Sequence, residues 1–339
     1  MTGPEGPRRQ FTAPGLLTAL AGLALFAWLV WKIGPAEIWA GFRQVGWGLG
    51  WILLLGGLRF AARAFAWALC LEPPHRLRWI DAFVAVVSGD AIGNLTPLGP
   101  IVGEPAKIAC VRQRVAVAPA ATALAIENVI YTLSVAAMLA AGTGALLFSV
   151  SLDTRLREFS EVTLVAIVAM FVAAGWVLWT RPAVISRALG GPLGRWSALA
   201  TRVDKLHALE DQIYTFASRR RTVMLPIVGA ELLFHALGVV EAHITLWMIL
   251  GAPPPLLTSF ILESTNRLIT VVFKFIPMQL GVGEAASGFF TNLLKLGYPP
   301  GVTLSLVRKA RMGVWSLVGM ALLVYQGLSA RKILEDSAR

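Results

Sequence analysis

Charge is scarce in this sequence. Only 14% of its 339 residues are Asp, Glu, Lys or Arg, against 56% hydrophobic ones. That balance, with a mean hydropathy of +0.68, lies well outside the soluble range and points to a polytopic membrane protein. Acidic residues are the scarcer sign, 19 against 30 basic ones, for a formal net charge of +11. An excess of that size also occurs in nucleic-acid binders, but in a membrane chain it is explained by Lys and Arg collecting on the cytoplasmic side. No nucleic-acid partner is expected. There are two cysteines, Cys70 and Cys110, both beside apolar segments, so neither a disulfide framework nor a metal-ligand spacing exists. The four histidines (His75, His207, His235, His243) are too scattered to form a motif. No metal and no cofactor are expected. The chain also lacks G-x-x-x-x-G-K-[ST], so any ATP drive would come from a partner. With no Gly-rich phosphate loop, metal cluster or nucleophile constellation, it is not expected to be an enzyme.

Long apolar runs are what the sequence has instead. The clearest, "GLLTALAGLALFAWLVW" at 15–31, follows Arg8 and Arg9 and continues into "KIGPAEIWAGF". Without a small-residue cleavage site it reads as a retained first span rather than a signal peptide. Full spans are predicted at 15–31, 47–71, 117–148, 160–180, 222–250 and 302–327. Two further apolar stretches, 79–114 and 256–298, are interrupted by Gly/Pro segments and read as helical hairpins. Full crossing arms and re-entrant arms both fit, and either way each hairpin returns to its starting side. The expected fold is an all-α polytopic membrane protein with about six full spans and two broken hairpins.

Six crossings put both termini on one side. With the N-terminus inside, segments 1–14, 72–78, 181–221 and 328–339 carry 15 Lys/Arg, and the outer segments 32–46, 149–159 and 251–255 carry 4. That bias makes both tails, 1–14 and 328–339, cytoplasmic. The basic loop 181–221 divides a first membrane half, 15–180, from a second, 222–327. Within the loop, 196–218 fits either an amphipathic helix on the inner leaflet or a solvated linker. Trp28, Trp31, Trp47, Trp51 and Trp79 near span ends suit interfacial anchoring.

The two hairpins share a motif. "PLGPIVGEPA" at 97–106 matches "PMQLGVGEAA" at 277–286, an offset of 180. Pro97 pairs with Pro277, Val102 with Val282, Gly103 with Gly283, Glu104 with Glu284 and Ala106 with Ala286. The first hairpin starts from the cytoplasmic side and the second from the outer side, so the halves are expected to be inverted about an axis in the membrane plane. Paired Gly/Pro-interrupted segments in such a repeat point to a transport site near the midplane, where irregular backbone survives only against protein or water. Proline ends helices and glycine permits sharp reversals. Since Glu104 precedes Pro105, a favoured first helical residue, Gly103-Glu104 reads as a helix start. Its free N–H groups would hold a carboxylate or lipid phosphate. The plainer alternative is that each Glu caps its own helix.

Other ionisable residues fall in the same regions. Arg59 and Arg63 lie at i and i+4 on the 47–71 span, too near its centre to snorkel, so a carboxylate or phosphate partner is expected. Asp90 and Asn94 precede the first break, and Glu127 with Asn128 follows it. The second half supplies Glu263, Asn266 and Arg267, then Arg308, Lys309 and Arg311. These groups suit either a charged headgroup or internally paired structural charges. Glu231 and His235, also i and i+4, fit a proton relay or a plain structural hydrogen bond.

"GNLTPLGPIVGEPAKIACVRQR", with "AIENVIYTL", "ESTNRLITVVFKFIPMQLGVGEAA" and "VRKARMGVWSL", resembles the membrane-embedded flippase-like region of the lysylphosphatidylglycerol synthase family. The resemblance covers about 15–330. The sequence is also similar to stand-alone members associated with hopanoid lipid genes. The resemblance implies lipid translocation across the bacterial inner membrane, with two re-entrant hairpins meeting at a central cavity. By motif match Glu104 and Glu284 line that cavity, with Asn94, Glu127, Glu263 and Arg267 nearby. Synthase members continue into a soluble aminoacyl-transferase domain, whereas this sequence ends "SARKILEDSAR", so lysyl transfer is not expected of it. Membrane lipids are the expected partners, and an accessory role beside lipid-biosynthesis proteins is the alternative. A membrane-integral lipid-modifying transferase ranks below both.

Overall fold

The computed structural model describes residues 43–96, 99–150, 152–180, 219–273 and 276–325, with positions 31, 36, 39, 215 and 216. Pro97, most of the expected first span, almost all of the basic loop and both expected tails lie outside them. Every regular element among the described residues is helical.

The first half contains α1 (Gly48–Cys70), α2 (Trp79–Leu95), α3 (Gly99–Val111), α4 (Val117–Ser149) and α5 (Thr154–Thr180). The second contains α6 (Arg221–Leu250), α7 (Leu256–Val272), a 3-10 turn (Pro277–Gln279), α8 (Val282–Leu293) and α9 (Tyr298–Tyr325). Among the described residues three helices are long and apolar enough to cross a membrane: α1, α4 and α6, with 23, 33 and 30 residues. At about 1.5 Å per residue even α1 exceeds the ~30 Å hydrocarbon core. They correspond to the spans expected at 47–71, 117–148 and 222–250. The stretch 160–180 is helical too, within α5, and α9 covers 302–325 of the span expected at 302–327. Helix ends follow local chemistry. Residue 251 is a glycine at φ 76° whose N–H donates to the Trp247 carbonyl. This left-handed cap closes α6 before "APPP", which cannot continue a helix.

Packing follows the repeat. Shifted by 180, α1–α4 fall on α6–α9, and each contact within or between them has its counterpart. α1 meets α2 as α6 meets α7; α4 meets α7 as α9 meets α2; α1 meets α4 as α6 meets α9. At the centre α1 and α6 pack on each other. Gly48 faces Met248, Arg59 bonds Glu241, and the Leu71 carbonyl accepts from Arg220. One number falls as the other rises, so the two helices run antiparallel.

Each hairpin's first arm docks, through a small residue, on the long helix that follows the other hairpin. A Cβ at Gly319 of α9 would stand 2.5 Å from the Val87 carbonyl oxygen of α2, and Ser88 Oγ donates to the Gly319 carbonyl. Correspondingly, a Cβ at Gly142 of α4 would stand 2.0 Å from Ser264 Oγ of α7, which donates to the Met138 carbonyl. Small residues bring helices this close where water provides no hydrophobic drive between them. Outward surfaces are apolar: Leu225, Leu232, Val162, Val165 and Val172 are all exposed. Trp47 and Trp51, just at the start of α1, are exposed as well.

Glycines explain the first hairpin's motif. In α2 and α3, Gly89, Gly93, Gly99 and Gly103 stand at i, i+4 spacings and let the two backbones touch. A Cβ at Gly99 would lie 2.4 Å from the Gly93 carbonyl oxygen, and one at Gly89 would lie 2.7 Å from that of Gly103. This corrects the expected helix start at Gly103-Glu104. α3 begins at Gly99 and carries Pro105 inside it. The earlier start puts both glycines of α3 on the face that meets α2, at the cost of the one hydrogen bond that Pro105 cannot donate.

Candidate functional site

Between the halves lies a cavity of about 330 Å³, within the ~300–1,000 Å³ range of small-molecule sites. Its wall draws on every described helix except α5 and α8. Among the described residues seven cationic side chains reach it, Arg59, Arg63, Lys107, Arg267, Arg308, Lys309 and Arg311, and two acidic ones, Asp90 and Glu104. The other carboxylates stand behind the cations and hold them in place.

In the first half, Arg63 makes a two-pronged pair with Glu127, Nε to Oε1 at 2.8 Å and Nη2 to Oε2 at 2.9 Å. Nη2 also donates to Asn128 Oδ1 at 3.1 Å, and the Asn128 amide donates to Glu104 Oε2 at 3.1 Å. The Arg63 guanidinium lies 4.0 Å from the Tyr131 ring centroid, so a cation–π contact supports its other face. Lys107, 2% exposed, bridges Glu104 at 3.0 Å and Asp90 at 3.1 Å. Glu104 thus belongs to a chain running from α3 through Asn128 to Arg63.

In the second half, Glu263 is the hub. It accepts from Arg267 Nη2 at 2.7 Å and Arg308 Nη2 at 2.5 Å, and Arg59 Nη2 stands 3.7 Å away. Arg59 Nη1 donates to Glu241 at 3.0 Å. Arg311 Nε stands 3.0 Å from the other Glu241 oxygen without the alignment of a hydrogen bond. Phe234 lies between Arg59 and Arg267, 4.6 and 4.9 Å from its ring centroid. Gly238 leaves room for the Glu263 carboxylate, and Gly56 leaves room for the Arg311 stem. Glu284 pairs with Lys309, which also donates to the Gln279 carbonyl.

Arg59, Arg63, Asn94, Glu104, Arg267, Arg308 and Gly103 are therefore brought to one cavity, while Glu127, Glu263 and Glu284 stand one layer behind it. Pro277 opens the 3-10 turn and Gly283 lies in the first turn of α8. Glu231 and His235 do not line the cavity, and no hydrogen bond joins them. Glu231 is buried beside Glu127, and His235 Nε2 pairs with Ser134 Oγ at 2.9 Å. Sequence reasoning missed Glu241, Lys107 and Gln279. Glu241 interrupts the apolar run "ALGVVEAHITLW", itself the signal for an intramembrane charge. Lys107 lies three residues after Glu104, on the same helix face.

An all-helical bundle with three membrane-length apolar helices and a charged interior defines a multi-pass membrane protein. Residues 15–319 match the family described as the lysylphosphatidylglycerol synthase TM region, and the chain belongs to that family. No curated protein and no solved structure matches it.

Proposed function

We propose that this protein moves a lipid with a polar or charged headgroup between the leaflets of the bacterial inner membrane. The observation that carries the reading is the cavity itself, a charged space built from both halves of a repeat inside an apolar bundle. Burying seven cations among apolar helices is costly, and such groups mark substrate pathways. The headgroup would cross through this space while its acyl chains stay in lipid.

In this reading the halves are inverted in the membrane and both termini are cytoplasmic, which accords with antiparallel α1 and α6. The two hairpins are re-entrant: α3 and α8, with 13 and 12 residues, reach only about 20 Å, short of the ~30 Å core. Transport rather than catalysis is the proposed activity, because each described charged group of the wall is held in an ion pair as part of a fixed surface.

The test is lipid translocation in proteoliposomes, with fluorescent phospholipids and native bacterial lipids compared in wild type and Glu104→Gln/Glu284→Gln protein. Movement that the wild type supports and the double variant loses is the expected result. Absence of movement for any lipid, from protein shown to be folded, would overturn the reading.

A further inference from the structure

The charges around the cavity do not balance evenly, and the imbalance identifies a ligand. Around the two second-half carboxylates Glu241 and Glu263 four guanidiniums converge, those of Arg59 from α1 and of Arg267, Arg308 and Arg311. Among the described residues no other acidic group comes within 4.0 Å of these four. The cluster therefore carries about two uncompensated positive charges. The lysine sites differ: Lys107 faces two carboxylates and Lys309 faces one. Arg59, Arg267 and Arg308 are each more than nine-tenths buried yet line the cavity. Among the described residues the Nε–H groups of Arg59 and Arg267 find no hydrogen-bond acceptor, and that of Arg311 is misaligned with its Glu241 oxygen.

An uncompensated buried charge is strongly unfavourable unless a counter-charge occupies the space beside it. Guanidinium groups match phosphate oxygens in geometry and hydrogen-bond them in pairs. A phosphomonoester carries about −1.5 to −2 charge at neutral pH, which is the deficit at this cluster. A phosphodiester carries one charge and a zwitterionic headgroup none in net. The wall also carries the apolar Val271, Ile276, Met312 and Trp315, and Val271 is exposed. They offer apolar surface to an acyl chain attached to a phosphate held by the arginines.

We infer that the arginine cluster of α1, α7 and α9 is a binding site for a phosphomonoester group, and that a lipid phosphomonoester is the preferred cargo. This builds on the translocation reading and names its substrate class. Binding is nevertheless measured without transport, so the two stand or fall separately.

The experiment is equilibrium binding to purified protein in a neutral detergent, with short-chain phosphatidic acid, phosphatidylglycerol and phosphatidylcholine of equal chain length. The expected order is phosphatidic acid, then phosphatidylglycerol, then phosphatidylcholine, with about tenfold between first and last, the weight of roughly one charge-assisted hydrogen bond. Asn266→Asp adds a carboxylate to the cavity wall without removing any ion pair, and it should weaken phosphatidic acid binding by about tenfold. Inorganic phosphate is the second probe. If it fails to displace the lipid, the ligand is the lipid headgroup with its chains; if it displaces the lipid, the phosphate group alone is recognised. Either supports the anion site. Equal affinity for the three lipids, or unchanged phosphatidic acid binding in Asn266→Asp, would overturn it. Phosphatidic acid binding without translocation would leave this inference standing and remove the transport reading.

Discussion

The two hairpins share the spacing P-x5-G-E and are built in different ways. In the first, α3 starts at Gly99, so Glu104 is the sixth residue of a helix whose glycines press against α2. In the second, α8 starts at Val282 after a turn in which Met278, Gln279 and Gly281 have φ of 50°, 53° and 78°. Glu284 is thus in the first helical turn, as a residue beside the positive end of a helix dipole. Each glutamate still acquires one lysine, from a different place. Lys107 lies one turn along α3 and Lys309 comes from α9. Two halves of a repeat have kept the charge pair and changed the scaffold that supplies it.

Substitutions can break that comparison. The largest effect is expected at the carboxylate hubs. Glu263→Ala strands Arg267 and Arg308, leaving Arg59 its Glu241, and should cost about 5 kcal/mol, whereas Glu127→Ala strands Arg63 alone and should cost about 3 kcal/mol. Unfolding in detergent micelles checks both, and equal costs would remove the distinction between hub and pair.

Next come the glycines. Gly99→Ala forces a methyl group against the Gly93 carbonyl oxygen and should cost about 3 kcal/mol. At Gly283 the nearest atom to a Cβ is Ser305 Oγ at 3.1 Å, a side chain able to turn aside, so Gly283→Ala should cost only about 1 kcal/mol. Thermal melts of the pair decide whether the first hairpin is the one closed by backbone contact.

Glu284→Gln leaves Lys309, 4% exposed, without its carboxylate. It should destabilise by about 2 kcal/mol. Glu104→Gln should cost about 1 kcal/mol, since Lys107 keeps Asp90 and the amide still bonds to neighbours. The same order is expected for translocation. The smallest effect belongs to Thr270→Val, which removes the acceptor for Gln279 Nε2. One neutral hydrogen bond at the second turn is worth about 1 kcal/mol or less.

Much of this was legible in the sequence. The apolar run at 222–250 reads as a long helix by its length and apolar composition, and α6 spans it with Pro226 inside its second turn. The 180-residue offset aligned the hairpins because the repeat keeps both glutamates and their glycines. Arg59 and Arg63 announced carboxylate partners by lying mid-span. Which carboxylate each would take was not legible: Arg59 pairs with Glu241, 182 residues away, and Arg63 with Glu127, 64 away. The start of α3 was misread because Pro105 is locally a good first residue, while the choice depends on where α2 presents Gly89 and Gly93.

The sequence by itself determined the class of molecule, the order of its helices and the presence of costly charges inside them. Those follow from composition, period and spacing along one chain. Tertiary structure alone decided that four arginines converge on two carboxylates, because that convergence joins α1, α6, α7 and α9 across the centre of the repeat. Charge balance in a low-dielectric interior is a property of neighbours in space, and no linear spacing encodes it.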